Sequence, residues 1–257
     1  MVTNLFRKHD RAMRELRAAD LGCAVDAFTE NRLVVVPRPD SPRETFLALA
    51  ITFGTGTVLS IDEAYREWAE ANAPEPHYNL FKYPLFLEGL VGESARRGRK
   101  VTASGPNLGF TPATEPEPGE LPAGLTSRVV DSGWRDEWYP RRMFENALGD
   151  PTDPHDFTWH FGVILADDSG EPLACAGGWN DGPGVVEIGV DVARAARGRG
   201  LAPLVVQRMA AEVLARGLIP TYYCAPTNVR SHRTALASGF LPIQSTIIAS
   251  DKGALPG

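Results

Sequence analysis

The sequence has only three cysteines among 257 residues, and it contains no run of about 18 apolar residues that could span a bilayer. Cys23, Cys175 and Cys224 are too widely separated for a CxxC pair or a disulfide framework, so we expect reduced thiols. The first 21 residues are rich in charge and lack the apolar core of a secretory signal. These absences predict a cytoplasmic protein without a membrane span.

An excess of basic residues is also absent, because the formal net charge is -6. Proteins that bind nucleic acid by neutralising phosphates usually carry the opposite balance, so nucleic acid is not expected as a partner. His155 and His160 lie five positions apart without accompanying cysteine or acidic ligands, which predicts no metal site. A hydrophobic content of 43% with 23% charged residues is typical of a globular protein with a substantial core.

The pattern of strands and helices predicts an α/β (α+β) protein in two parts. Between Thr111 and Gly124 the sequence TPATEPEPGELPAG holds four prolines and three glutamates and few large apolar residues, which is typical of a semi-rigid linker. We therefore predict an N-terminal α/β accessory domain over residues 1–110, a linker over 111–124, and a C-terminal domain over 125–257.

The C-terminal part shows the clearer order of elements. Alternating or β-branched runs predict strands at 125–131, 159–166, 173–179, 185–192 and 221–225, with one or two more after Phe240. Helical spacing predicts helices at 134–147, after Leu201, and at 231–238. Gly217 is expected to end the second of these helices.

A strand that runs into a glycine and arginine loop and then directly into a helix is the most informative segment. In VVEIGVDVARAARGRGLAPLVVQRMAAEV, the first backbone N–H groups of the helix have no intrahelical partner and can bind an anion. Gly198 and Gly200 allow close approach of the backbone, and Arg197 and Arg199 add positive charge. The segment therefore predicts a diphosphate site.

Two common nucleotide motifs do not fit this loop. A Walker loop needs G-x-x-x-x-G-K-[ST], and neither the lysine nor the hydroxyl residue is present. A Rossmann fingerprint needs a third glycine where Pro203 stands. The GTGT segment at Gly54–Thr57 also lacks a third glycine, and we interpret it as a hairpin turn.

The same residues resemble the GNAT superfamily of N-acetyltransferases. The family signature [QR]-x-x-G-x-[GA] after a strand matches Arg197, Gly200 and Ala202. A second signature, an asparagine before a short helix that ends in Gly-Phe, matches Asn228, Ser231 and Gly239-Phe240. The resemblance covers about half of the chain and implies a mixed, mostly antiparallel sheet flanked by helices.

The resemblance also implies a binding site for acetyl-CoA (coenzyme A) as co-substrate. Backbone groups of the strand would hold the pantetheine arm, the loop would bind the diphosphate, and two residues beyond the next strand would contact the arm from the other side. In this order the implied residues are Val190, Asp191 and Val192; Arg197, Gly198, Arg199, Gly200, Leu201 and Ala202; and Asn228 and Ser231.

Acyl transfer to an amine needs the unprotonated nucleophile, although an alkylamine with a pKa near 10.4 is mostly protonated at neutral pH. A carboxylate near the thioester can take up the proton, and the resemblance implies this role for Glu187. An ordinary solvated strand carboxylate is the alternative interpretation of Glu187. The tyrosine that usually protonates the departing thiolate in this family is replaced by Ala235. Tyr222, Tyr223 or a water molecule would then protonate the thiolate, or the thiolate would leave without an acid. Strand alternation favours Tyr223.

We therefore predict an N-acetyltransferase that acts on a primary amine of a small molecule, as a monomer or homodimer. His160, His232, Trp138, Tyr139 and Trp179 are candidates for the acceptor site. The alternative is an acyl-CoA-binding regulatory module in which the missing tyrosine marks weak or lost catalysis.

Overall fold

The computed structural model describes residues 3–39, 46–82, 84–149 and 159–254. Its helices are α1 (Asn4–Leu21), α2 (Arg66–Asn72), α3 (Asn79–Lys82), α4 (Leu85–Arg96), α5 (Ser132–Trp138), α6 (Glu145–Leu148), α7 (Leu201–Ala215) and α8 (Val229–Ala237). Its strands are β1 (Leu33–Pro37), β2 (Phe46–Thr52), β3 (Thr57–Ile61), β4 (Arg99–Pro112), β5 (Leu125–Val130), β6 (Trp159–Asp167), β7 (Pro172–Gly182), β8 (Val185–Val192), β9 (Ile219–Cys224) and β10 (Phe240–Ala254). The predicted α/β class, with a mostly antiparallel sheet flanked by helices, is confirmed.

The single helix predicted at 134–147 is wrong. The chain forms α5, then a 3-10 turn over Tyr139–Arg141, and then the separate short helix α6. Pro140 has no N–H to donate and its ring opposes a continuous helix. Arg142, with φ 54°, turns the backbone into the left-handed region and separates α6 from α5. The long strand β4 was also not predicted from the sequence.

The chain folds into two compact units whose segments alternate along the sequence. The first unit comprises Met1–His9, Phe110–Cys224 and Asn228–Pro242, and the second comprises Asp10–Gly109, Ala225–Thr227 and Ile243–Gly257. The linear division into 1–110, 111–124 and 125–257 stays a prediction.

In the second unit, a small sheet packs against helices. β1 pairs in parallel with β3, β3 pairs antiparallel with β2, and β2 pairs antiparallel with residues 245–250 of β10. Buried side chains from these strands and from α2 and α4 form an apolar cluster that includes Leu59, Ile61, Ala69 and Leu90. Burial of these apolar groups is the main stabilising term for this unit.

In the first unit, β5, β6, β7 and β8 form an antiparallel sheet, and β9 then pairs in parallel with β8. Helix α7 packs on one face of this sheet, where Met209 lies against Gly178. Helix α6 packs on the opposite face against β7 and β8. The two helices therefore pack on opposite faces of the sheet.

Two glycines allow α6 to lie directly on the sheet. Gly177 and Gly189 are cross-strand neighbours, and an added Cβ would lie 1.8 Å from the Ala147 carbonyl oxygen or 2.1 Å from that of Asn146. Any side chain at either position would displace the helix. The Trp159 indole N–H also donates to the Ala147 carbonyl at 3.1 Å, which fixes α6 over the paired glycines.

A buried histidine ties the first turns of α1 to two strands of the first unit. His9 Nδ1 lies 2.8 Å from Thr111 Oγ1, and this hydroxyl donates to the Pro220 carbonyl at 3.1 Å. The hydroxyl hydrogen is thereby used, so the His9 ring donates to Thr111 through Nδ1–H. Protonation of the buried ring would add a charge where water is excluded.

Acidification should reduce the free energy of unfolding through His9. Burial, with a smaller contribution from Lys8, lowers the pKa of this imidazole to about 4 from an ordinary value of 6.5. Above pH 6.5 the ring is neutral in both folded and unfolded chains. As the pH falls further, only the unfolded chain gains a proton, so stability is lost until about pH 4, by about 3 kcal/mol in total.

Urea unfolding of the wild type and of two variants between pH 7 and pH 4 tests this expectation. His9→Asn keeps a donor but cannot titrate, so it should be less stable at pH 7 and lose less stability on acidification. His160→Asn is the control because His160 is exposed, and its pH dependence should match that of the wild type. An unchanged pH dependence in His9→Asn would contradict the assignment.

Candidate functional site

The short parallel pairing of β8 with β9 creates the candidate site. Val185, Val186 and Glu187 pair with Ile219, Pro220 and Thr221, and within the described part of the chain the pairing then stops. β8 nevertheless continues to Val192 and remains paired with β7 along its other edge. The backbone edge of β8 beyond Glu187 therefore faces a gap, where its polar groups need another partner.

A cavity of about 1180 Å³ opens at this gap. Ordinary small-ligand pockets have volumes of roughly 300–1,000 Å³, so this cavity can hold a larger ligand. Its wall on the β8 and α7 side consists of Glu187, Ile188, Gly189, Val190, Asp191, Val192, Arg194, Ala196, Arg197, Gly198, Gly200, Leu201, Ala202 and Pro203. The rest is lined by Asn146, Gly149, Trp179, Tyr222, Tyr223, Cys224, Asn228, Arg230, Ser231 and Thr234.

The loop before α7 has the backbone geometry of an anion site. Gly198 and Gly200 have φ values of 81° and 75°, a region that favours glycine, and Gly200 is the N-cap of α7. None of the described side chains caps this helix end, so among these residues the first N–H groups of the helix have no acceptor and face the cavity. Pro203, in the first turn, has no N–H and removes one of these donors.

In the described part of the chain three arginines line the cavity, and they include one of the two arginines expected from the sequence. Arg197 lines it and also donates from Nε to the Val192 carbonyl at 3.2 Å, which braces the loop against the end of β8. Arg194 and Arg230 line it as well, although neither was predicted. Arg199 is exposed and does not belong to the lining. The structure thus gathers positive charge from both walls of the gap.

The opposite wall comes from the start of α8. The Asn228 side-chain oxygen accepts the Ser231 N–H at 3.2 Å and caps the helix. A ligand contact from Asn228 would therefore come from its amide N–H. Ser231 Oγ lies 2.7 Å from the Tyr222 hydroxyl, and Ser231 also hydrogen bonds with Cys224. The predicted residues Asn228 and Ser231 are brought to the cavity opposite the loop.

Asp191 uses its side chain for structure. Its carboxylate accepts from the Asn146 amide and from the Ala147 backbone N–H, both at 2.9 Å. Burial raises the pKa of this carboxyl, and the hydrogen bonds act in the opposite direction. Asp191 therefore anchors α6 to β8, and any ligand contact predicted for it would come from its backbone.

Glu187 lies at the point where the two strands part. Its strand partner is Thr221, so Tyr223, two residues further along β9, lies on the same face of the sheet as Glu187, and Tyr222 lies on the other face. The Tyr223 hydroxyl donates to the Asp181 carboxylate at 2.9 Å. Trp179 is the cross-strand neighbour of Glu187 on β7 and also lines the cavity.

The other residues considered for the acceptor site do not line the cavity. Trp138 and Tyr139 pack in the apolar cluster around Phe144, and the His232 ring contacts Phe110 with centroids 5.2 Å apart. His160 is exposed on β6. Ala235, which stands where the family usually has a tyrosine, is fully buried. His155 lies outside the described residues.

Among the described residues, no three His, Cys, Asp or Glu side chains come together as metal ligands. Over the same residues, no helix combines the length and the apolar character that crossing a membrane requires.

Comparison with known proteins agrees with this geometry. Residues 127–240 match the model of the Acetyltransferase (GNAT) family. This part of the chain is a GNAT acetyltransferase domain. The GNAT domain contains the diverging strands, the loop before α7 and the capped start of α8, so the acyltransferase resemblance is confirmed for it. No curated protein sequence matches the chain.

Solved structures extend the comparison of fold. A GCN5-related N-acetyltransferase from Kribbella flavida is similar over 95% of this chain and 96% of its own, with 19% identity and a TM-score of 0.50. A putative GNAT-family acetyltransferase from Novosphingobium aromaticivorans has 21% identity over 62% of this chain and 69% of its own, with a TM-score of 0.44. A tandem GNAT protein from the clavulanic acid biosynthesis pathway has 16% identity over 65% and 60%, with a TM-score of 0.44.

Proposed function

We propose that this protein is an acetyl-CoA-dependent N-acetyltransferase that acts on a primary amine of a small molecule. The observation that carries the proposal is the gap between β8 and β9, with an uncapped helix start at one end and a carboxylate at the other. A long ligand with an anionic end and a reactive end matches this arrangement. Acetyl-CoA has this form, and GNAT enzymes typically use it.

The residues around the loop fit a diphosphate. The N–H groups of Gly198–Ala202 and the positive end of α7 favour negative charge, and each charge-assisted hydrogen bond contributes about 1.5–3 kcal/mol. Arg194, Arg197 and Arg230 add positive charge at the rim. Backbone groups of Val190–Val192 and the Asn228 amide would bind the arm that joins the phosphates to the sulfur.

Glu187 is the proposed base. The amine nitrogen must lose a proton as its lone pair attacks the thioester carbonyl carbon, and the carbon–sulfur bond then breaks. A carboxylate on the Trp179 side of the cavity can accept that proton and pass it to solvent. The Trp179 ring and the Tyr223–Asp181 pair would form the surroundings of a cationic amine, which aromatic and acidic groups attract.

One observation favours a second candidate function. Ala235, at the position of the usual family tyrosine, is buried and supplies no hydroxyl, as expected for an acyl-CoA-binding module with weak or no catalysis. Release of free thiol from acetyl-CoA with a panel of small primary amines separates the two functions. Binding of acetyl-CoA without amine-dependent thiol release would reject the enzyme and favour the module.

Gly200→Glu should weaken coenzyme A binding at least roughly 100-fold, because the carboxylate would compete with the diphosphate for the amides that begin α7. Isothermal titration calorimetry with coenzyme A measures this change. Affinity within about threefold of the wild type would contradict the proposed diphosphate site.

Gly217→Glu provides a matched control at the other end of α7. Gly217 has φ 73°, close to the 75° of Gly200, and an added Cβ meets nothing within 4 Å at either position. Both variants therefore carry similar backbone strain and the same added charge. The control should lose at least as much stability, because its carboxylate lies at the negative end of the α7 dipole, and it should bind coenzyme A with wild-type affinity.

Glu187→Gln should lower kcat by about 10²-fold at pH 7, where the amine is protonated and the base is needed most. The deficit should shrink as the pH approaches the acceptor pKa near 10.4, because free amine then becomes abundant. A pH profile of kcat for a reactive amine measures both effects. Glu171→Gln, an exposed carboxylate on the turn before β7, is the control. If the kcat of Glu187→Gln equals that of the wild type at every pH, Glu187 is not the base.

A further inference from the structure

The departing sulfur in the proposed reaction needs a partner on the wall opposite Glu187. Breakage of the carbon–sulfur bond leaves both electrons on sulfur as an alkyl thiolate, and the reference alkyl thiol in proteins, that of cysteine, has a pKa of about 8.5. Such an anion forms at neutral pH without a strong acid, but a hydrogen-bond donor aimed at it lowers the barrier. The following inference rests on the proposed function.

Among the described residues the cavity lining contains four hydroxyl side chains, and two of them are directed elsewhere. The Tyr223 hydroxyl donates to the Asp181 carboxylate on the Glu187 face, and Thr234 Oγ1 donates to the Arg230 carbonyl within α8. Tyr222 and Ser231 remain, and their oxygens lie 2.7 Å apart. These two hydroxyls form a pair on the α8 side of the gap.

Packing holds the buried member of this pair. Tyr222 is 3% exposed, and its ring makes T-shaped contacts with Phe110 and Phe240, with ring centroids 6.5 Å and 6.3 Å apart. Ser231 is half-buried and reaches the cavity from the first turn of α8, where the Asn228 cap fixes its backbone. Its hydroxyl is therefore the outer member, and the Tyr222 hydroxyl lies behind it.

We propose that Ser231 Oγ–H donates a hydrogen bond to the departing sulfur, while the Tyr222 hydroxyl donates to Ser231 Oγ and strengthens it. In this chain the pair from β9 and α8 replaces the hydroxyl that Ala235, one turn further along α8, does not provide. Ser231 is the catalytic residue, since it touches the sulfur, and Tyr222 is a positioning residue. The thiolate takes its proton from water after release, so no proton leaves the pair.

Either oxygen of the 2.7 Å contact can be the donor, so Tyr222 can donate to Ser231 only while its phenol is protonated. Burial raises the pKa of the Tyr222 phenol, so it stays protonated over the working range and can act as a donor. Burial also raises the pKa of the neighbouring Cys224 thiol, against the lowering effect of its hydrogen bond with Ser231, so the thiol stays neutral and its S–H can donate to Ser231 Oγ. A chain of aligned hydroxyls polarises its members and makes the terminal donor stronger.

The pKa of the thiol of bound coenzyme A tests the inference without any acyl transfer. Ultraviolet difference absorbance of the thiolate in the complex, followed against pH, should show a pKa one to two units higher in Ser231→Ala than in the wild type, which matches a loss of about 10- to 100-fold in thiolate stabilisation. Tyr222→Phe keeps the ring packing and should raise the pKa of the bound thiol by a smaller amount. Ser231→Thr keeps the hydroxyl and should restore the wild-type value.

Steady-state kinetics give the second readout. Ser231→Ala should lower kcat by about 10- to 100-fold, and Tyr222→Phe by less, with calorimetric affinity for coenzyme A within a few fold of the wild type. Ser238→Ala is the control, because Ser238 ends the same helix and donates to the Thr234 carbonyl.

The outcomes separate the two proposals. Unchanged thiol pKa values in both variants, in a protein that binds coenzyme A, would overturn the role of the hydroxyl pair alone. Failure of the wild type to bind coenzyme A would overturn the proposed function itself. The wild type could lower the pKa of the bound thiol relative to the two variants and still acetylate none of the amines. That result would support the role of the hydroxyl pair and reject the proposed acetyltransferase activity.

Discussion

The early end of the pairing between β8 and β9 is the constraint on which the rest of the site depends. Three residue pairs hold the strands together, and after Glu187 and Thr221 they part. A strand edge without a partner is costly in a folded protein unless a ligand or water satisfies it. Because β8 is still held by β7 along its other edge, the gap is a rigid feature of the sheet and does not require a moving loop.

The two faces of the sheet receive different parts of the chemistry because side chains alternate along a strand. Glu187, Gly189 and Asp191 point to the α6 face, where the missing side chain at Gly189 admits the helix and the Asp191 carboxylate holds it. Tyr222 points to the other face, toward α8. In the proposed mechanism, nucleophile activation and stabilisation of the leaving group therefore take place at opposite walls of one cavity.

Positive charge at the site is also distributed by the fold. Arg194 and Arg197 follow β8, whereas Arg230 belongs to α8 and reaches the cavity from across the gap. Arg197 has a second use, because its bond to the Val192 carbonyl keeps the loop close to the strand end. A loop braced in this way can present its amides to an anion without first paying an ordering cost.

The sequence by itself determined the loop between β8 and α7, since glycines with positive φ before a helix are a local requirement of backbone geometry. It also determined most strands and helices of the C-terminal part, which depend on near neighbours in the chain. Only the tertiary structure decided that Arg230 lines the cavity and Arg199 does not, that Asp191 anchors α6, and that Tyr222 meets Ser231. These facts depend on strand register and on which face each side chain occupies, and a register is set by contacts between residues far apart in the chain.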